Sequence, residues 1–144
     1  MKSILFLLTI IVLLFTEMFS QSASFQGISF TGTRPPDPVI AAGPNHIVIA
    51  VNSKISFYTK TGALVNSIGL NSWFSSVNPP GEPFDPKVIY DQFSSRFVVI
   101  ALSRNGDFTQ SSYLVAASQS SDPTSGWYFY NLNARLDNTT NTNN

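Results

Sequence analysis

The acidic residues are the side chains of this chain best suited to chemistry. Asp85 and Asp91 bracket the short apolar run 87–90, and Asp37 lies in an upstream Pro-rich segment. Asp85 can accept backbone N–H bonds in an Asx-type turn before the strand. Alternatively, it can join Asp37 in binding a cation or another ligand, since hard cations prefer oxygen ligands. The sequence leaves both alternatives open, so Asp37 and Asp85 are candidate ligand-binding residues.

Asp91 is predicted to have a structural role at the hairpin that follows the same run. Its carboxylate can cap the turn amides, or it can pair with Arg96 on the returning strand. A two-carboxylate glycosidase site has less support, because such a site needs two carboxyl groups several Å apart on rigid elements. Glu82, the sole Glu after residue 23, lies in a Pro-rich connector near Asp85. The sequence leaves enzyme activity open and favours a non-catalytic chain.

Few residues of this sequence are suited to metal binding or to nucleophilic catalysis. His46 is the only histidine and the chain has no cysteine, which excludes a multi-His site and thiolate chemistry. The serines near His46 lack the G-x-S-x-G setting of a nucleophile. The run RNGDFTQ at 104–110 lacks the alternating acids and closing Glu of a calcium loop. We expect no metal site and no cofactor.

Four consecutive aromatic residues occupy positions 127–130. Successive side chains of a strand alternate between faces, so two of these rings point into the fold and two point outward. Trp127 and Tyr128 are candidate ligand-binding residues, because an exposed aromatic pair suits a sugar or a partner protein. In the alternative arrangement, both faces of this strand are buried between neighbouring sheets.

Short apolar runs separated by Gly-, Pro-, Asn- and Asp-rich turns must position these side chains. A first meander is predicted at 46–52, 54–60 and 63–68, and four further runs follow at 87–90, 96–103, 112–118 and 127–133. The connector 69–84 contains three prolines and two glycines, which argues against a long helix. Sequential strands joined by turns predict an all-β fold of antiparallel four-stranded meanders.

The first 23 residues differ from the rest of the chain and are predicted to be a signal peptide. Lys2 precedes the twelve-residue apolar run 4–15, and small polar residues follow. A membrane span needs about 20 apolar residues, so an export signal with cleavage between residues 20 and 25 fits better. A retained anchor is the alternative. After cleavage we expect no membrane span.

The remaining chain divides by composition. Residues 24–45 are predicted to be an irregular lead-in with at most one short strand near 28–30, residues 46–133 carry the predicted strands, and the Asn/Thr-rich tail 134–144 lacks apolar periodicity and is expected to be disordered. Eight basic and eight acidic residues give a formal net charge of zero. No broad positive field would attract nucleic acid.

Several motifs occur in one order between residues 34 and 133. They are a PPD segment, a GPNH turn before an apolar strand that ends in Asn, DPKVIYD with an Arg at its return, and AASQSSDPTSGW. As a set they resemble the amino-terminal part of secreted, mostly bacterial β-propeller proteins of unknown function. The resemblance implies about one and a half blades of an incomplete propeller, with open sheet edges through which the chain can self-associate.

The run SQSSDPTSGW at 118–127 also loosely resembles the Asp-box turn of sialidase-type propellers. That resemblance implies a structural turn role for Asp122 and Gly126. Together these features predict an exported, non-catalytic binding or scaffold module at the cell surface or outside the cell, with a carbohydrate or a surface protein as partner. The alternative is a fragment of a sialidase- or glycosidase-like propeller hydrolase whose catalytic residues lie outside this chain.

Overall fold

The computed structural model describes residues 24–134, which form two antiparallel four-stranded sheets. The first sheet has the order β1 Val39–Ala42, β2 His46–Val51, β3 Lys54–Thr59 and β4 Leu64–Gly69. The second has the order β5 Phe84–Asp91, β6 Arg96–Arg104, β7 Ser111–Ser118 and β8 Trp127–Asn133. Between them lie a short helix α1, Leu70–Phe74, and a 3₁₀ turn, Ser75–Val77. The predicted all-β class with four-stranded antiparallel meanders is confirmed.

Two of the predicted segments fall on residues that are not described. The predicted signal peptide, residues 1–23, lies outside the described residues, and so does the predicted tail beyond residue 134. Their assignments stay predictions. Within residues 24–134, no helix is long and apolar enough to cross a membrane.

Strand β1 corrects the prediction of an irregular lead-in over residues 24–45. Residues 39–42 pair with β2 in the register Val39↔Ala50 to Ala42↔Ile47, and the backbone N–H of Gly43 closes the turn on the carbonyl of His46 at 2.9 Å. The run is only four residues long and follows several prolines, so its apolar pattern is weak by itself. No strand forms at 28–30. With β1 included, residues 24–134 form two four-stranded sheets, where the sequence predicted only three strands for the first of them.

The two sheets pack face to face around one hydrophobic core. Its fully buried members include Val48 and Ile55 from the first sheet and Val99 and Leu114 from the second. Burial of each such side chain stabilises the fold by about 1.5–3 kcal/mol. Strands β1 and β2 lie directly against β5. The two sheets are therefore in direct contact at this end of the interface.

Aromatic rings fill the opposite side of the interface, between β3 and β8. Trp127 of β8 stacks on Phe57 of β3 with ring centroids 5.9 Å apart, and Trp73 of α1 meets the Trp127 ring edge-on at 5.0 Å. Phe129 contacts both Trp73 and Phe74, at 5.1 and 5.8 Å. The connector 69–84 thus supplies two rings that occupy the space between the sheets. We call these five side chains the aromatic cluster.

The lead-in covers part of the side of the first sheet that faces away from the core. Phe25 packs on Tyr58 with ring centroids 5.5 Å apart. A Cβ at Gly27 would lie 3.0 Å from Ile49 Cδ1, and one at Gly62, where φ is +89°, would lie 2.5 Å from the Phe25 ring. Glycine is therefore required at the β3–β4 turn both for the backbone conformation and for the close approach of Phe25.

Candidate functional site

The side chain of Asn52 joins the two acidic residues that the sequence singled out as ligand-binding candidates. Its Nδ2 donates to Asp37 Oδ2 at 2.7 Å and to the Pro35 carbonyl at 2.9 Å. Its Oδ1 accepts the backbone N–H of Asp85 at 2.7 Å. The structure therefore brings Asp37 and Asp85 to one amide, Asp37 through its carboxylate and Asp85 through its backbone.

Both residues held by Asn52 have an uncommon backbone conformation. The φ angles of Asp37 and Asp85 are 45° and 50°, in the left-handed region that costs a non-glycine residue about 1–3 kcal/mol. Asp85 also lies where the β5–β6 register shifts, between Phe84 and Lys87. Its exposed carboxylate accepts no hydrogen bond from the residues that the structure describes. The Asx-type turn, one of the two alternatives for the Asp85 carboxylate, is therefore not formed, and Asp85 is held through its backbone N–H by Asn52 of the β2–β3 turn.

Asp91 caps the turn between β5 and β6. Its Oδ1 accepts the Phe93 N–H at 2.9 Å and its Oδ2 accepts the Ser94 hydroxyl at 2.6 Å. These bonds, the Ser94 hydroxyl first, lower the pKa of the Asp91 carboxyl. Arg96 pairs with Asp91 in strand register, but its Nη1 donates to the Ser118 carbonyl at 2.8 Å.

The loop between β7 and β8 is organised by Asp122. Its Oδ1 accepts the backbone N–H and the hydroxyl of Thr124 at 2.9 and 2.7 Å, and these two bonds lower the pKa of the Asp122 carboxyl, with a smaller contribution from His46. Gly126, at a φ of 125°, accepts the Gln119 N–H at 2.9 Å through its carbonyl. Asp122 and Gly126 therefore lie in one turn that is held by hydrogen bonds.

His46 approaches this loop from the first sheet. Its Nδ1 lies 3.9 Å from Asp122 Oδ1, and no group of three or more His, Asp or Glu side chains among residues 24–134 could hold a metal ion. The contact links the start of β2 to the β7–β8 loop. At 3.9 Å the two atoms are farther apart than a hydrogen bond, and the buried His46 Nδ1 has no hydrogen-bond partner among the described residues.

The structure separates the two aromatic candidates. Trp127 belongs to the aromatic cluster and its Nε1 donates to the Pro123 carbonyl at 2.8 Å. Tyr128 points the other way, is half exposed, and lies under the Arg96 guanidinium at 5.9 Å from the ring centroid. The two residues therefore lie on opposite faces of β8 and do not form one platform.

Tyr128 instead belongs to an exposed apolar surface that covers the outer face of the second sheet. The cross-strand rows Ile89↔Val98↔Ala117↔Tyr128, Lys87↔Ile100↔Val115↔Tyr130 and Leu102↔Tyr113↔Leu132 place its side chains on one side, with Lys87 as a charged residue at the β5 end of the middle row. Its six most exposed large members, 41–59% accessible, are Ile89, Ile100, Tyr113, Tyr128, Tyr130 and Leu132. We call this surface the outer face. Nothing within residues 24–134 covers it.

Two residues with important contacts were missed by the sequence analysis. Asn52 was noted only as the end of an apolar strand, although an amide just before a hairpin is well placed to bond a neighbouring turn. Ser103 lies among the inward positions of β6 and is 1% exposed, and its Oγ bonds both the N–H and the carbonyl of Gly81, at 3.0 and 2.7 Å. A serine on an apolar face signals a buried partner.

Comparison with known proteins adds no relative. No protein-family model, curated protein or solved structure is significantly similar to the chain. The resemblance to secreted β-propeller proteins therefore stays a prediction.

Proposed function

We propose that this chain is an exported, non-catalytic module of the β-propeller kind, which binds or scaffolds at the cell surface or outside the cell. Its partner is a carbohydrate or a surface protein. The observation that carries the proposal is the uncovered outer face of the second sheet. A face of this kind suits a molecule built by stacking further sheets.

The size of the outer face supports this proposal. An aromatic side chain buries roughly 150–250 Å² when it is fully covered, and the six large members are 41–59% exposed. Together they present an apolar area on the order of 500 Å², near the upper end of what soluble monomers leave uncovered. A further sheet packed on this face would remove that area from water.

The way in which the two sheets pack against each other also supports the proposed stacking of further sheets. They are consecutive meanders, they touch directly along β1, β2 and β5, and the aromatic cluster fills the space toward β8. A sheet that repeats this relation would lie on the outer face, because stacked repeats each contact only their neighbours. At the opposite end of the pair, the lead-in already covers part of the first sheet through Phe25 and Tyr58.

Three carboxyl groups of the described residues, those of Asp91, Asp107 and Asp122, are held in turns, which favours a non-catalytic role for them. A general acid in a glycosidase needs a raised pKa, whereas the resolved shifts within residues 24–134 all lower the pKa, at Asp91, Asp107 and Asp122. In each case the leading cause is a hydrogen bond from a nearby turn residue, Ser94, Thr109 or Thr124. These carboxylates hold turns and are not tuned to donate protons.

The outer face predicts the behaviour of a charged double variant. Ile100→Lys with Tyr130→Lys places two charges on one cross-strand row of half-exposed side chains. We expect binding of a hydrophobic dye such as ANS to fall severalfold while the β-rich circular dichroism is retained, because neither side chain is in the core. The dye measurement is made on the full chain secreted by a bacterial host.

The matched control carries the same charge at exposed apolar positions elsewhere. Leu64→Lys with Phe93→Lys changes residues that are 58% and 93% exposed and lie off the outer face. Dye binding should stay near the unsubstituted level in this control. An equal loss in both double variants, or an unsubstituted chain that binds no dye, would contradict the proposal.

The export part of the proposal has its own test. We expect a secreting bacterial host to release a chain whose first residue lies between positions 20 and 25, because the apolar run 4–15 is too short to remain as a span. Mass spectrometry of the culture medium measures that terminus. Recovery of the chain only in the membrane fraction, with Lys2 still present, would support the retained anchor instead.

A further inference from the structure

A polar groove lies beside Asn52, at the end of the molecule where the β2–β3 turn meets the start of β5. Its volume is about 380 Å³, within the range of small-molecule sites. The lining residues come from the lead-in, the β2–β3 turn, α1 and the segment that enters β5: Thr33, Asn52, Ser53, Asn71, Glu82, Pro83 and Phe84. The groove is thus built from both sheets and the connector.

Hydrogen bonds at both ends hold the wall that enters β5. Ser103 Oγ clamps the backbone of Gly81, and a Cβ at Gly81 would collide with the Arg104 carbonyl. At the other end Asn52 Oδ1 holds the Asp85 N–H at 2.7 Å. Residues 82–84 are therefore fixed between two anchors, which lowers the entropy cost of binding a ligand.

The opposite wall is also tied down. Ser53 Oγ and Thr31 Oγ1 are 2.6 Å apart, and the Ser53 carbonyl accepts the N–H of Leu70, the first residue of α1, at 3.0 Å. On the wall that enters β5, the Arg104 guanidinium lies 5.6 Å from the centroid of the Phe84 ring. Both walls of the groove are therefore held by contacts within the chain.

The lining chemistry selects a class of ligand. Glu82 and Asn71 are exposed and their side chains make no hydrogen bond to the residues that the structure describes. A carboxylate and an amide offer acceptors and donors to hydroxyl groups, and Phe84 adds an apolar ring. The lining residues include one carboxylate and no Lys or Arg, although Arg104 lies near the Phe84 ring. This balance favours a neutral ligand, and a single lining carboxylate is a poor match for a calcium ion.

We propose that this groove binds a neutral sugar, with Glu82 and Asn71 bonding its hydroxyl groups and Phe84 contacting its apolar side. This inference rests on the binding role proposed above and gives that role a site and a ligand class. The site lies at the end of the second sheet, where Phe84 pairs with Leu102 at the edge of the outer face.

The test is a titration of the isotope-labelled full chain, secreted by a bacterial host and followed by NMR. The probes are glucose, galactose, mannose and N-acetylglucosamine, with N-acetylneuraminic acid and calcium chloride as counter-probes. We expect at least one neutral sugar to shift the amide signals of Ser53, Asn71 and Glu82 in a saturable way. Glu82→Gln should weaken that binding about tenfold, since a hydrogen bond to a charged group is roughly twice as strong as one to a neutral group.

The control variant is Asp91→Asn, which makes the same change of charge at the β5–β6 turn, at the opposite end of β5 from Phe84. It should leave the sugar affinity unchanged. The inference is overturned if no neutral sugar shifts these signals, if only N-acetylneuraminic acid or calcium does, or if both variants bind equally. The dye measurement reports on the outer face and is independent of the sugar titration. If no sugar binds the groove but the dye result is as expected, this site is rejected while the proposed scaffold role stands.

Discussion

Trp127→Ala is expected to lower the free energy of unfolding by about 3 kcal/mol, the lower end of the usual cost of removing a large aromatic side chain, because Trp127 is partly buried and packs against the core. Trp127 contacts Phe57 of the first sheet and Trp73 of the connector, and its Nε1 bonds the Pro123 carbonyl. Its removal leaves a cavity where the two sheets are held apart by rings. The loss therefore falls on the contact between the sheets.

The neighbouring residue provides the matched control. Tyr128→Ala removes an aromatic ring from the same strand, but Tyr128 is 49% exposed on the outer face. We expect this variant to lose less than about 1 kcal/mol, as is typical of surface changes away from a core. Chemical denaturation followed by fluorescence and circular dichroism measures both values. Equal losses in the two variants would contradict the inward position of Trp127.

Asn52→Ala is expected to cost about 2–3 kcal/mol, because a hydrogen bond to a charged group contributes about 1.5–3 kcal/mol. The variant loses the bond to the Asp37 carboxylate and leaves the Asp85 N–H without its acceptor. Asp37 and Asp85 then hold positive φ angles without support. Denaturation measures the loss, and amide hydrogen exchange at Asp85 reports the local effect.

Asn66→Ala serves as the control for this second prediction. Asn66 is an exposed residue of β4 whose Oδ1 accepts the adjacent Ser67 N–H at 2.8 Å, its only partner among residues 24–134. The control should lose well under the Asn52→Ala value and should leave exchange at Asp85 unchanged. If Asn52→Ala is as stable as this control, the three contacts of the Asn52 amide do not hold the end of the molecule.

The strands were predictable because most of them carry long apolar runs between turn residues. Residues 96–103 were predicted as a strand and lie within β6, Arg96–Arg104. The four-residue strand β1 was not predicted, because its pattern gains meaning only when β2 lies beside it. Strand β1 therefore depends on a tertiary partner more than on its own sequence.

The candidate site was less predictable than the fold, since its contacts join distant parts of the chain. Alternation indicated that two of the four rings at 127–130 face inward, but only the register with β7 and the position of Trp73 decide which two. Asn52 and Asp85 are 33 residues apart. No local pattern specifies that contact, or the groove beside it.

Light scattering on the full secreted chain, measured across a range of protein concentrations, tests most directly whether the outer face requires a covering sheet. The predicted result is a β-rich chain whose mass rises with concentration, and whose association is lost in Ile100→Lys with Tyr130→Lys. A folded monomer at every concentration, unchanged by the double variant, would contradict the proposed stacking module and indicate a self-contained pair of sheets.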